Sequence, residues 1–218
     1  VANHTRIHTL NERVYEADLT PESAWALGVL IGDGCVTRRA GHIEGVEVCG
    51  DEDVCRKVAT VFGSEKPTKH LRGGCHAIRF FGRSFAASLA RYGVVPAKTA
   101  TVGLPEVRPD LLPHLIRGYW DADGCVTTGR QQPGRGNKLK LTLAAVTVSS
   151  TLAAQLASVV HDVTGARCGP YGQRKKRVSV TCLKALTLGH WLWDQSEPHM
   201  RSARKYDRFL ALEKEIYG

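Results

Sequence analysis

The chain has no apolar run long enough to span a bilayer, which excludes a helical membrane anchor. Its opening residues, Val1 to Arg13, lack the apolar core of a secretion signal. Its seven cysteines are odd in number and none is spaced C-x-x-C. That argues against a disulfide framework and against a structural zinc site, and it predicts an intracellular, reducing compartment. Acid is the scarcer charge: 30 Lys and Arg stand against 21 Asp and Glu, a net charge of +9 that suits a polyanionic partner. The excess is uneven, with 14 basic against 12 acidic residues up to Pro109 and 16 against 9 from Asp110 onward. The second half is therefore expected to hold phosphates harder.

What is present is a repeat. Leu27-Gly28-Val29-Leu30-Ile31-Gly32-Asp33-Gly34-Cys35-Val36 is echoed by Leu115-Ile116-Arg117-Gly118-Tyr119-Trp120-Asp121-Ala122-Asp123-Gly124-Cys125-Val126. Each copy reads as an apolar helix ending in Asp-Gly, followed by a β-leaning run. A glycine inside a helix costs about 1 kcal/mol against alanine, so two at matching places point to two backbones in close contact. Helices paired in parallel through Gly28 and Gly118 would set Asp33 and Asp123 side by side. A carboxylate is disfavoured at a helix C-terminus, and two close together repel. Divalent cations resolve both problems, with the backbone carbonyls of Gly32 and Ala122 as further oxygen donors. Cys35 and Cys125 are expected as small buried residues.

The two copies resemble the motif of the LAGLIDADG homing endonuclease family in its single-chain, two-repeat form, over roughly residues 20–215. The first copy departs from the family name, with Ile31 where the first Asp would stand. The resemblance implies catalysis by the second acid of each motif, Asp33 and Asp123, and treats Asp121 as dispensable, a solvated or capping acid. It also implies a basic residue beside each acid. Lys98, in Val94-Val95-Pro96-Ala97-Lys98-Thr99, matches the lysine before the second motif, and Lys205, in Arg204-Lys205-Tyr206, matches the one in the closing segment. The activity implied is a Mg²⁺- or Mn²⁺-dependent double-strand cut in DNA with 3′ overhangs, by a monomer. The alternative is a non-cutting binder on the same fold, either a DNA regulator or a maturase acting on intron RNA.

Periodicity gives the rest. Residues 1–20 read as an extended arm, 21–108 as a first repeat and 109–218 as a second. Thr20-Pro21 is a helix start. Strands are expected over 35–39 and 43–49 around Ala40-Gly41, then a helix opened by Asp51-Glu52-Asp53. A hairpin over 66–72 and 76–81 and a helix over 84–92 complete the half. The second half repeats the order, with strands over 125–128, 138–149, 166–172 and 177–182 and helices over 151–163, 183–193 and 200–217. The fold class is α+β: two pseudo-symmetric αββαββα halves forming a saddle of antiparallel sheets, paired by the two motif helices.

Strands alternate their side chains, so one sheet face is free when the other packs on helices. Candidates for a free, DNA-reading face are Arg38, Lys69, Arg72 and Arg79 in the first half. In the second they are Arg130, Gln132, Arg135, Lys138, Lys140, Gln173, Arg174, Lys175 and Arg177. A two-stranded ribbon fits the major groove, where Arg reads guanine and Gln reads adenine. Two unlike halves imply a long, asymmetric duplex target.

Overall fold

The structure, a computed structural model, describes residues 8–130 and 139–218. Helix α1 (Pro21–Asp33) opens with a reciprocal cap. The Ser23 amide donates to Thr20 Oγ1 (3.3 Å) and the Thr20 amide to Ser23 Oγ (2.8 Å). Residues Ser23–Ile31 are all buried, so the helix is enclosed rather than striped, as an apolar sequence on every face requires. Strands β1 (Gly34–Arg39) and β2 (His42–Gly50) follow, joined by a turn with positive φ at Ala40 and Gly41 (49° and 82°). Then come α2 (Glu52–Val61), β3 (Lys69–His70), β4 (His76–Phe81) and α3 (Arg83–Ser88).

The second half consists of α4 (Leu112–Asp123), β5 (Gly124–Arg130), β6 (Leu139–Thr147), α5 (Ser150–Thr164), β7 (Lys176–Thr181), α6 (Cys182–Trp193) and α7 (Ala203–Tyr217). Two antiparallel sheets result, one ordered β1-β2-β4-β3 and the other β5-β6-β7. They form the expected saddle, with α1 and α4 packed together at its centre. No described helix is long and apolar enough to cross a membrane.

The seam explains the paired glycines. A Cβ on Gly28 would lie 2.0 Å from the Leu115 carbonyl oxygen, and one on Gly118 would lie 1.9 Å from that of Trp25. One turn further on, a Cβ on Gly32 would meet Ala122 and Asp123. Contacts that advance together along both chains mean the helices run in the same direction, so their C-termini end together.

Three expectations are corrected. Residues 166–172 form no strand; only Tyr171 bridges, to Arg177. Pro170 has no amide to give a ladder, and Gly172 is at φ 106°. The first arm of the 66–72 hairpin shrinks to Lys69–His70, before a 3₁₀ turn at Arg72–Gly74. Cys35 is exposed and Cys125 only half-buried, because the buried strand positions fall to Gly34, Val36 and Gly124. The described part of the N-terminal arm is folded onto the first half. Asn11 donates its amide to the Phe62 carbonyl, and Tyr15 is fully buried against Phe62 and Phe85.

Candidate active site and nucleic-acid surface

The last residues of α1 and α4 are the two acids. A Cβ added to Gly32 would come within 3.1 Å of Asp123 Oδ2, and one added to Gly50 within 3.0 Å of Asp33 Oδ2. The Asp123 carboxylate thus lies over the backbone next to Asp33, in space that only glycine leaves open. Asp33 is half-buried and its carboxyl is pushed up to about 7, first by burial and then by the charge of Asp123, against the pull of Lys205 and Lys98. Asp123 keeps an exposed edge, but the protein around it removes enough solvent to raise its carboxyl too. Lys98, Lys205 and the Tyr119 hydroxyl work in the opposite direction. Two acids that destabilise each other's charged form are a poor arrangement by themselves and a good one around a cation.

Both sequence-selected lysines are buried and perform one task on opposite helices. Lys98 Nζ donates to the carbonyl oxygens of Ile31 (2.7 Å) and Gly32 (3.5 Å), at the end of α1. Lys205 Nζ donates to those of Trp120 (2.9 Å), Asp121 (2.6 Å) and Ala122 (2.9 Å), at the end of α4. An ammonium suits the negative end of a helix, where the last carbonyls lack intrahelical donors; the Trp120 carbonyl also takes the Gly124 amide. Burial pulls both ammonium groups below their ordinary value, against the attraction of the acids. Lys205 acts on Asp33 more strongly than Lys98 does, and Lys98 acts more strongly on Asp123. Each lysine therefore caps one motif helix, and its charge weighs more on the acid of the other.

Asp121 is neither solvated nor capping its own helix. It is buried, and its Oδ2 accepts from Trp25 Nε1 (2.9 Å) and from the Ser202 amide (2.9 Å), while Oδ1 has no partner among the described residues. Burial raises its carboxyl to about 6. A cavity of about 230 Å³ beside Asp33 is lined by Gly50, Asp51, Ala122, Arg204 and Lys205. Arg204, at the cavity edge, is bound to Asp51 (2.8 Å).

Among the described residues no group of three or more His, Cys, Asp and Glu could hold a metal. The donors at this site are fewer: Asp33, Asp123 and the nearby carbonyls of Gly32 and Ala122. All are hard oxygen donors. A Mg²⁺ that keeps its waters and shares substrate phosphate needs only one or two carboxylates. The raised carboxyls of both acids, that of Asp33 in part through the charge of Asp123, fit that group.

The face of each sheet away from the helices follows from the buried set Val36, Val46, Val48, Ile78 and Phe80. Opposite it, Cys35, Glu47 and Arg79 form one row across β1, β2 and β4. Arg79 is on the free face but bound to Glu47 at 3.1 Å, a partner the sequence did not suggest. Lys69 and Arg72 are exposed near it, and Arg38 is exposed where a register shift after Thr37 interrupts the alternation. In the second half Lys140 and Arg177 fall on the free face with Thr127 and Ser179. Arg130, Gln173, Arg174 and Lys175 are exposed at its ends. Gln132, Arg135 and Lys138 lie outside the described residues. Lys175 is near enough to lower the Asp123 carboxyl.

No protein-family model matches the chain, and no curated protein matches it. Solved structures do. The meganuclease I-SmaMI bound to uncleaveable DNA aligns with a TM-score of 0.60 at 11% identity, over 91% of this chain and 89% of that one. The LAGLIDADG meganuclease I-AabMI bound to uncleaved DNA aligns with a TM-score of 0.56 at 12% identity, over 91% of each chain. I-SmaMI bound to an uncleaved DNA target in the presence of calcium ions aligns at 0.51 and 12%, over 91% of this chain and 99% of that one. At such identities the likeness is one of fold, and it is the fold that the sequence resemblance implied.

Proposed function

We propose that this chain is a LAGLIDADG homing endonuclease, a monomer that makes a divalent-cation-dependent double-strand cut in DNA. The observation that carries the proposal is the end of the helix seam. Two parallel helices deliver Asp33 and Asp123 to one place, and a buried ammonium stands at the end of each helix. Solved proteins of this fold bind DNA, one of them in the presence of calcium ions. The seven free cysteines fit a reducing, intracellular setting.

Phosphodiester hydrolysis needs an activated water, neutralisation of the phosphate and a stabilised leaving oxygen. A bound Mg²⁺ or Mn²⁺ supplies these, held by Asp33 and Asp123 with the carbonyls of Gly32 and Ala122. The chain's own groups do the rest. Lys98 and Lys205 bring positive charge to the developing charge on phosphate, from positions fixed by the carbonyls they bind. The free sheet faces bind duplex to either side, with Lys140, Arg174, Lys175 and Arg177 on phosphates and base edges. One acid for each strand gives a staggered cut, with 3′ overhangs, at a long asymmetric site. Both acids are intact, which weighs against a non-cutting regulator.

The test is digestion of plasmid and of a randomised duplex library with Mg²⁺. The expected result is cutting by the natural chain, and lost cutting with retained duplex binding in Asp123→Asn. Undiminished cutting by that variant overturns the assignment.

A further inference from the structure

We infer that Asp121 is a positioning residue, a polar latch that sets Lys205 in place for the half of the reaction served by Asp33; this rests on the nuclease reading. Lys205 sits in the first turn of α7, and three contacts fix where that turn begins. The Ser202 side chain caps the helix by accepting from the Lys205 amide (3.4 Å). The Ser202 amide in turn donates to Asp121 Oδ2 (2.9 Å), and the same oxygen takes the indole N–H of Trp25 in α1 (2.9 Å). One turn back on α4, the buried Arg117 donates to the carbonyl oxygens of Met200 (2.7 Å) and Leu192 (3.0 Å). Asp121 thereby joins α1, α4 and the start of α7 through one buried oxygen. Three residues later the chain places the Lys205 ammonium on the carbonyls of Trp120, Asp121 and Ala122.

The device belongs to one half only. Ninety residues upstream, Ile31 stands at the Asp121 position, Leu27 at the Arg117 position. Lys98 is held instead by its backbone, between the buried Val94 and Val102, after Ala97 at φ 58°. Lys205 and Asp33 line the same cavity, as do Ala122 and Asp121. A loosened latch therefore displaces one lysine of the pair and leaves the other where it is. A displacement of about 1 Å in a group beside the reacting phosphate slows a step on the order of 10- to 100-fold.

The experiment uses the full chain and a duplex recovered by cleavage from a randomised library, end-labelled on each strand in turn. Asp121→Ala and Trp25→Phe are expected to slow one strand about 10- to 100-fold, so that nicked duplex accumulates. The slowed strand should be the one slowed by Lys205→Met, and Lys98→Met should slow the other. Asp121→Asn, which keeps an acceptor oxygen for both donors, should restore the balance. Trp25→Phe keeps an aromatic ring without the indole N–H and tests the latch if Asp121→Ala does not fold. Equal slowing of both strands in these variants, no slowing, or slowing of the strand that depends on Lys98 overturns the inference and leaves the nuclease reading standing. A natural chain that cuts no duplex removes both.

Discussion

Alanine at position 118 tests the seam. Its Cβ would stand 1.9 Å from the Trp25 carbonyl oxygen and 3.0 Å from the Val29 amide nitrogen. A carbon and a carbonyl oxygen tolerate about 3.3 Å, so the shortfall is roughly 1.4 Å. The oxygen cannot swing aside, because it belongs to the hydrogen-bonded backbone of α1. The helices must move apart by more than 1 Å, and a gap of that size forfeits about half the dispersion energy of the atoms facing it. Overpacking of this kind costs about 3–4 kcal/mol, at or above the usual range. Alanine recovers about 1 kcal/mol of helix propensity. The net loss of about 2–3 kcal/mol lowers the melting temperature by about 4–12 °C for a chain of this size. Calorimetry of Gly118→Ala and Gly28→Ala measures it, with Gly169→Ala, whose added Cβ meets nothing within 4 Å, as the neutral control. Because one displacement relieves both overlaps, the double variant should lose less than the sum of the two. Melting of Gly118→Ala within about 2 °C of the natural chain would refute the close-contact account of the motif glycines.

Two further outcomes follow from the site. Asp33, raised to about 7, holds its proton in the folded chain at pH values where the unfolded chain has lost it, so between about pH 4 and 7 the folded state binds more protons. Asp121 and Asp123 shift in the same direction. The stability of the chelator-treated protein therefore falls as pH rises through that window, and Asp33→Asn flattens the fall; a melting temperature that rises from pH 5 to 7, or an unchanged slope in the variant, contradicts this. Lys175→Ala should weaken binding to every duplex about equally and reduce the slope of log affinity against log salt by about 0.9, the value for one phosphate contact. An unaltered slope in a salt titration removes Lys175 from the interface.

The parts legible in the sequence are those that local pattern controls. Two glycines and two acids recur at matched places, and from them come the seam, its direction and the meeting of Asp33 with Asp123. Alternation gave β1, β2 and β6 to within a residue or two, because each has one face on helices. The failures share a cause. The segment at 166–172 has strand-like spacing, but Pro170 and the positive φ of Gly172 break the ladder, and only Tyr171 pairs. Asp121 looked like a solvated helix-end acid because its partners, Trp25 and Ser202, are 96 and 81 residues away. A buried carboxylate is invisible until the chain that buries it is in place. Lys98 and Lys205 are marked by the family resemblance alone, and nothing in their local sequence shows that both reach helix-end carbonyls.

Basic residues of the first half are partly neutralised by neighbouring carboxylates, which a count of charges does not show. Arg79 is bound to Glu47 on the free face, and Arg39 lies 3.9 Å from Glu44 near the hairpin end. Among the described residues no ion pair engages Lys140, Arg174, Lys175 or Arg177 in the second half. On the nuclease reading, the difference in phosphate grip between the halves is expected to exceed what 14 against 16 basic residues suggests, because cations already paired with carboxylates release fewer counterions from DNA. Glutamate accepts from the cytosine amino group and arginine donates to guanine, so a Glu47–Arg79 row can exchange its internal contact for base contacts, at a cost that a wrong base pair does not return. On the nuclease reading, binding strength is expected mainly from the second half and discrimination mainly from the first, so Arg79→Ala should narrow the gap in affinity between preferred and altered duplexes while Lys175→Ala leaves that gap unchanged.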